Sequence, residues 1–113
     1  MDQHTEPRLV MRRVRADQHA VLVYLAGELD LDTTRLLVED FVQLALHRDD
    51  HHRVLLNLSD ITYCDPGSLF TLLGLCNALH AIGVLVTITD LSTAVRTMIT
   101  LVGLGDQLPL HRP

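Results

Sequence analysis

Val54-Leu55-Leu56-Asn57-Leu58-Ser59-Asp60-Ile61-Thr62-Tyr63-Cys64-Asp65-Pro66-Gly67-Ser68-Leu69 holds the decision about the fold. Val54–Leu58 is a short apolar run of strand character, and Ser59-Asp60 and Ile61–Cys64 follow it. Asp65 fits a helix N-cap, and Pro66 fits the first helical position, where its missing N–H would have had no partner anyway. The segment therefore runs from a strand through a loop into a helix. That connection is the unit from which parallel α/β sheets are built.

Working outward, the helix opened by Asp65 extends to about Ala81 and stops at Gly83. Val84–Thr89 is β-branched and reads as the next strand. Ser92 caps a third helix with the stripe Val95, Met98, Ile99 and Val102; Gly103 ends it, and Leu104 is placed to pack back on its last turn. Leu108–Leu110 offers a last edge strand weakened by Pro109. Upstream, Leu9–Arg15 reads as a partly basic edge strand, and His19–Ala26 as a central one, apolar on both sides. Gly27-Glu28-Leu29-Asp30 turns the chain, and Asp30 or Asp32 caps a helix from about Thr33 to His47 with the stripe Leu37, Phe41, Leu44. Arg48–His52 is a polar loop. The expected fold is α/β, in the order β-β-α-β-α-β-α with one more strand optional. Its mixed, mainly parallel sheet of four or five strands packs with three or more helices.

The totals fit one domain over residues 1–113, with residues 1–7 expected to be flexible. Hydrophobic residues make up 48% of the chain and charged residues 20%, a globular balance. A net charge of −5 disfavours nucleic acid, whose proteins draw affinity from clustered basic surface. All nine basic residues are Arg, which removes phosphate loops, acid pockets of the receiver type and every other device that needs an amine. Pro66–Thr89 carries no Asp, Glu, Lys or Arg, a length able to span a bilayer. Asn77, His80, Gly83 and the β-branched second half instead fit a buried helix followed by a buried strand. No apolar leader is visible at Met1–Arg8, so the cytosol is the expected location.

Chemistry is scarce. Cys64 and Cys76 have no partner at metal-ligand spacing and read as small core hydrophobes. His47 and His51 stand four apart with His52 adjoining, but no Cys or Glu completes a metal set, and a polar helix end explains them better. No nucleophile, base and orienting acid come together, so neither an enzyme nor a cofactor is expected. The loop Tyr63–Leu69 remains, in the place where open α/β sheets carry functional loops. A phosphate there would add charge beside Asp65 and act on an interface.

Gly27-Glu28-Leu29-Asp30 after a buried strand, Val54–Ser59 some two dozen residues later, and Ile61-Thr62-Tyr63-Cys64-Asp65 opening a helix resemble the STAS domain. More closely, they resemble bacterial anti-sigma factor antagonists, over roughly Leu9–Leu110. The resemblance implies a partner switch: the unmodified antagonist binds an anti-sigma factor that is also a serine kinase, which then phosphorylates a Ser or Thr in the family's Asp-Ser-Ser/Thr-Gly-Leu loop. Aligned on Asp65 and Leu69, both family hydroxyl positions fall on Pro66 and Gly67. Ser68 takes the family's Gly position, and Asn57 stands where the family usually has Asp. Loss of phosphorylation is therefore expected over its relocation to Ser68, because one helical residue changes direction by about 100°. The implied interface comprises Asp30, Asp65, Pro66, Gly67, Ser68 and Leu69. An alternative from the same resemblance is a STAS accessory subunit docking on an ATPase of a membrane transport complex. Homodimerisation stays open, and no direct membrane insertion is expected.

Overall fold

The computed structural model describes residues 8–112, so the expected flexibility of residues 1–7 lies outside the described residues. The elements run β1 Leu9–Arg15, β2 Ala20–Leu29, α1 Thr34–Leu46, β3 Arg53–Cys64, α2 Pro66–Ala81, β4 Leu85–Leu91 and α3 Thr93–Val102. One four-stranded sheet is ordered β1-β2-β3-β4. β1 pairs antiparallel with β2, while β2, β3 and β4 are parallel. The expected last strand reduces to a single parallel bridge between Leu110 and Ile88.

Right-handed crossovers between parallel neighbours carry α1 and α2 to the same face of the sheet. α1 packs on α2, and α2 on α3. The strands obey this one-sided layering. Val23 and Leu25 of β2, Val54, Leu56 and Leu58 of β3, and Val86 and Ile88 of β4 are buried toward the helices. They meet Leu37, Phe41 and Leu44 of α1, Leu69, Leu72, Cys76 and Leu79 of α2, and Val95 and Ile99 of α3 in one core. Each fully buried Leu, Ile or Phe contributes roughly 1.5–3 kcal/mol, so an aliphatic core is sufficient without Trp. On the other face Arg12 lies over the Tyr24 ring, 4.6 Å from its centroid. Among the described residues no helix is long and apolar enough to cross a membrane, and the uncharged stretch after Asp65 is α2 followed by β4.

Two stretches differ from the sequence expectation. Gly27–Leu29 does not turn but prolongs β2, pairing with Ile61, Tyr63 and Cys64, and the chain turns only at Asp30. Ser59–Cys64 likewise continues β3 instead of breaking it. Register shifts after Tyr24 and after Gly27 let the two strands stay paired while polar Ser59 and Asp60 point outward. Gly27 makes this possible. Its φ is +119°, and a Cβ there would lie 2.0 Å from the Arg8 carbonyl oxygen, which accepts the Glu28 N–H at 2.7 Å.

The helix ends follow elementary capping. Ser92 accepts the Val95 N–H at 3.2 Å. Gly103 closes α3 at φ 73°, and its N–H and that of the buried Leu104 both reach the Ile99 carbonyl. His80, in the last turn of α2, accepts the Val86 N–H on Nε2 at 3.0 Å and so ties α2 to β4.

Candidate functional site at the strand-to-helix loops

Parallel strands bring their C-terminal ends to one edge, and there the loops after β2 and β3 meet. The Asp65 N–H donates to the Leu29 carbonyl at 2.9 Å, which ties the start of α2 to the end of β2. Asp65 has the extended backbone of an N-cap, and its Oδ1 accepts the Ser68 N–H at 2.7 Å. Pro66 takes the first helical position.

The start of α1 is built differently. Thr33 occupies the N-cap position and makes no side-chain cap bond. Asp30 instead folds the turn before the helix, its Oδ1 accepting the N–H groups of Asp32 at 2.9 Å and Thr33 at 3.1 Å. The buried Thr33 hydroxyl donates to the Glu28 carbonyl at 2.7 Å and accepts from the Asp30 N–H at 2.9 Å. Arg8 completes the edge. Its guanidinium bonds Glu28 and Asp30, and Asp32 at 3.1 Å. The hydrogen bond to Glu28 and the nearby carboxylate charges hold this guanidinium even more firmly protonated than usual, against some opposition from burial.

Asp30 and Asp65, 35 positions apart in sequence, thus line one open cleft of about 430 Å³ with Arg8, Leu31 and Tyr63. Beside its charged lining two large apolar side chains stand open to solvent, Leu31 at 84% and Tyr63 at 51% exposed, and Phe70 on α2 is exposed as well. Pro66 and Gly67 are exposed as well. Ser68 and Leu69, expected at the same surface, are carried inward by the first helical turn, with exposures of 2% and 0%. The Ser68 hydroxyl is buried without a hydrogen-bond partner. Asn57 bonds Asp90 through its amide at 3.1 Å and accepts the Ser59 N–H at 2.8 Å, so it braces the middle of β3 to the end of β4 outside the cleft.

Arg8, Glu28 and Leu31 belong to the cleft but carry no short-range signal. Only the pairing of β1 against Gly27 brings Arg8 there. The thiols offer no chemistry beside it. Burial, with a smaller contribution from Asp65, pushes Cys64 up to about 11, and burial pushes Cys76 up to about 12. A thiol in either state is protonated at neutral pH.

This sheet, with its three helices and one exposed strand-to-helix edge, has the mixed α/β fold of anti-sigma factor antagonists. The antagonist SpoIIAA in its unphosphorylated form superposes with a TM-score of 0.66 at 18% identity, over 91% of this chain and 89% of that one. An anti-sigma factor antagonist from Mycobacterium paratuberculosis gives 0.70 at 20% identity, over 93% and 86%. Phosphorylated SpoIIAA from Bacillus gives 0.63 at 16% identity, over 91% and 92%. The chain belongs to the STAS domain family: the family model described as "Mlab, STAS domain" matches residues 12–110.

Proposed function

We propose that this protein acts by docking a protein partner on the cleft edge formed by Asp30, Tyr63, Asp65, Pro66 and Gly67, and performs no bond chemistry there itself. The supporting observation is the exposure of Leu31 and Tyr63 in a carboxylate-lined cleft, beside turns tied down by the Asp65 and Asp30 bonds, with Phe70 exposed on α2. Large apolar side chains held in water by a rigid frame are what an interface core requires. Similarity to anti-sigma factor antagonists supports an anti-sigma factor as partner, and the family resemblance implies that it is also a serine kinase.

The phosphorylation half of such a switch is absent in this reading. Pro66 and Gly67 have no hydroxyl, and the Ser68 hydroxyl is beneath the surface. The protein would stay in the binding-competent state. The test mixes the full chain with a cognate anti-sigma kinase and ATP. A complex forms, Tyr63→Ala and Asp65→Arg each weaken it by about tenfold or more, and mass spectrometry finds no phosphate on the antagonist. Stoichiometric phosphate abolished by Ser68→Ala would overturn the locked reading, and affinity indifferent to both cleft variants would overturn the interface.

The missing hydroxyls also favour a second reading, a STAS accessory subunit docking on an ATPase of a membrane transport complex, where no phosphate cycle is required. Affinity capture on immobilised chain separates the two. The transport reading expects a transporter ATPase, released by Tyr63→Ala, in place of the kinase.

A further inference from the structure

At the opposite edge of the sheet, beside the N-terminal end of β2, a second cleft of about 200 Å³ is lined by Arg13, Arg15, Val21, His47, Asp50 and His51. We propose that this cleft binds a phosphomonoester-class oxyanion. The proposal is independent of the partner-docking reading and uses none of its residues.

Four observations carry it. Arg13 and Arg15 alternate onto the helix-facing side of β1, and among the described residues neither forms an ion pair. Arg15 is steadied at the rim by donating Nη1 to the carbonyls of Asp17 and Gln18 at 3.3 and 3.2 Å. One imidazole is fixed to the end of α1: His47 donates Nδ1–H to the Gln43 carbonyl at 2.9 Å. His51 is 4% exposed, and its Nε2 is buried with no partner. A buried imidazole nitrogen without a partner costs free energy, so a ligand supplying one is stabilised by what the protein gains.

The charges select the ligand. Two imidazoles four residues apart, one with its Nδ1 anchored, also resemble the way metal-binding histidines are held. Here, however, two guanidinium groups share the cleft, and among the described residues no trio of His, Cys, Asp or Glu is placed to hold a metal. The negative end of the α1 dipole, which would oppose an anion, is already occupied. Its Gln43 and Ala45 carbonyls accept from His47 and Arg48. The opposing groups are Asp50 in the lining and Asp40 on α1, close enough to Arg13 to feel its charge. They disfavour a fully ionised dianion. A monoanion, either a singly protonated ester or doubly protonated inorganic phosphate, lessens that repulsion, with its charge on Arg13 and Arg15 and its O–H donated to neutral His51 Nε2. Burial first, then Arg13 and Arg15, lowers the His51 pKa, while the Leu44 backbone and Asp50 raise it, so the empty cleft holds the acceptor form.

The test uses the full chain and inorganic phosphate, with chloride at matched ionic strength as the reference, read by imidazole NMR. The expected result is saturable shifts of the His47 and His51 rings in the millimolar range. Arg13→Gln and Arg15→Gln, at exposed positions, each weaken binding by about tenfold. Glycerol 3-phosphate binding more tightly than inorganic phosphate assigns the site to a headgroup or metabolite ester; equal affinity assigns it to free phosphate. Absence of saturable shifts, or shifts that persist unchanged in the Arg13→Gln/Arg15→Gln double variant, overturns the proposal.

Discussion

The two edges of the sheet carry opposite chemistry on one scaffold. At the C-terminal ends of the strands, Glu28, Asp30, Asp32 and Asp65 gather around a single arginine, with Leu31, Tyr63 and Phe70 facing water. At the N-terminal ends, Arg13 and Arg15 face His47 and His51, while the His19 and His52 rings lie 5.3 Å apart. A net charge of −5 conceals this polarity. Because β2, β3 and β4 are parallel, every strand-to-helix loop falls at the first edge and every helix-to-strand loop at the second. The first edge is fixed by backbone caps and carries exposed apolar side chains. The second is fixed by imidazoles and changes charge with pH.

The sharpest way to break the comparison is Gly27→Val. Its Cβ would strike the Arg8 carbonyl at a positive φ, so the joint that delivers Arg8 to the acidic edge must open. The expected loss is roughly 2–6 kcal/mol, read by chemical denaturation. An unchanged midpoint would mean that β1 leaves Gly27 at no cost. Asp65→Ala should cost about 1 kcal/mol through the lost cap, with Asp65→Asn close to neutral in stability, also by denaturation. Together these two variants divide the cap from the charge, since partner affinity should fall in both while stability falls in one.

The histidine edge predicts a pH dependence. His51 has its pKa lowered from the ordinary value near 6.5 by burial, so below that pH the unfolded chain binds the extra proton first. Stability is then constant above about pH 6.5 and declines as pH falls below it. Thermal unfolding across pH 5 to 8 should show this slope, and His51→Gln should flatten it relative to the parent. The smallest change has the opposite sign. Ser68→Ala removes a buried hydroxyl that has no partner and leaves the backbone bond to Asp65 intact, so it should stabilise by about 0.5–1 kcal/mol. Destabilisation in that variant would show that the hydroxyl is satisfied in solution.

The helices were readable because their signals are local. Asp65-Pro66 and Ser92 start helices where side-chain oxygens meet free N–H groups, and Leu37, Phe41 and Leu44 recur at the helical period. The strand ends were not. Gly27 and Ser59-Asp60 look like breaks in isolation, but pairing between β2 and β3 carries the chain through them. Asp30 looks like a cap for α1, while its carboxylate folds the preceding turn and meets Arg8. The cleft itself depends on bonds such as Asp65 N–H to Leu29 across 36 positions, for which no spacing rule exists. His51 reads as loop surface, yet it is buried beside the end of the helix it follows.

The short tail after α3 has a bearing on how copies of the molecule behave at high concentration. Ile88 donates its N–H to Pro109 and accepts that of His111, both at 2.8 Å, so the tail already occupies the outer rim of β4. The other rim belongs to β1, where Arg12, Arg13 and Arg15 would face the arginines of any neighbour adding edge to edge. Fibril growth by strand addition is thus plugged on one flank and repelled on the other, and trimming the chain back to Leu108 would unplug the first.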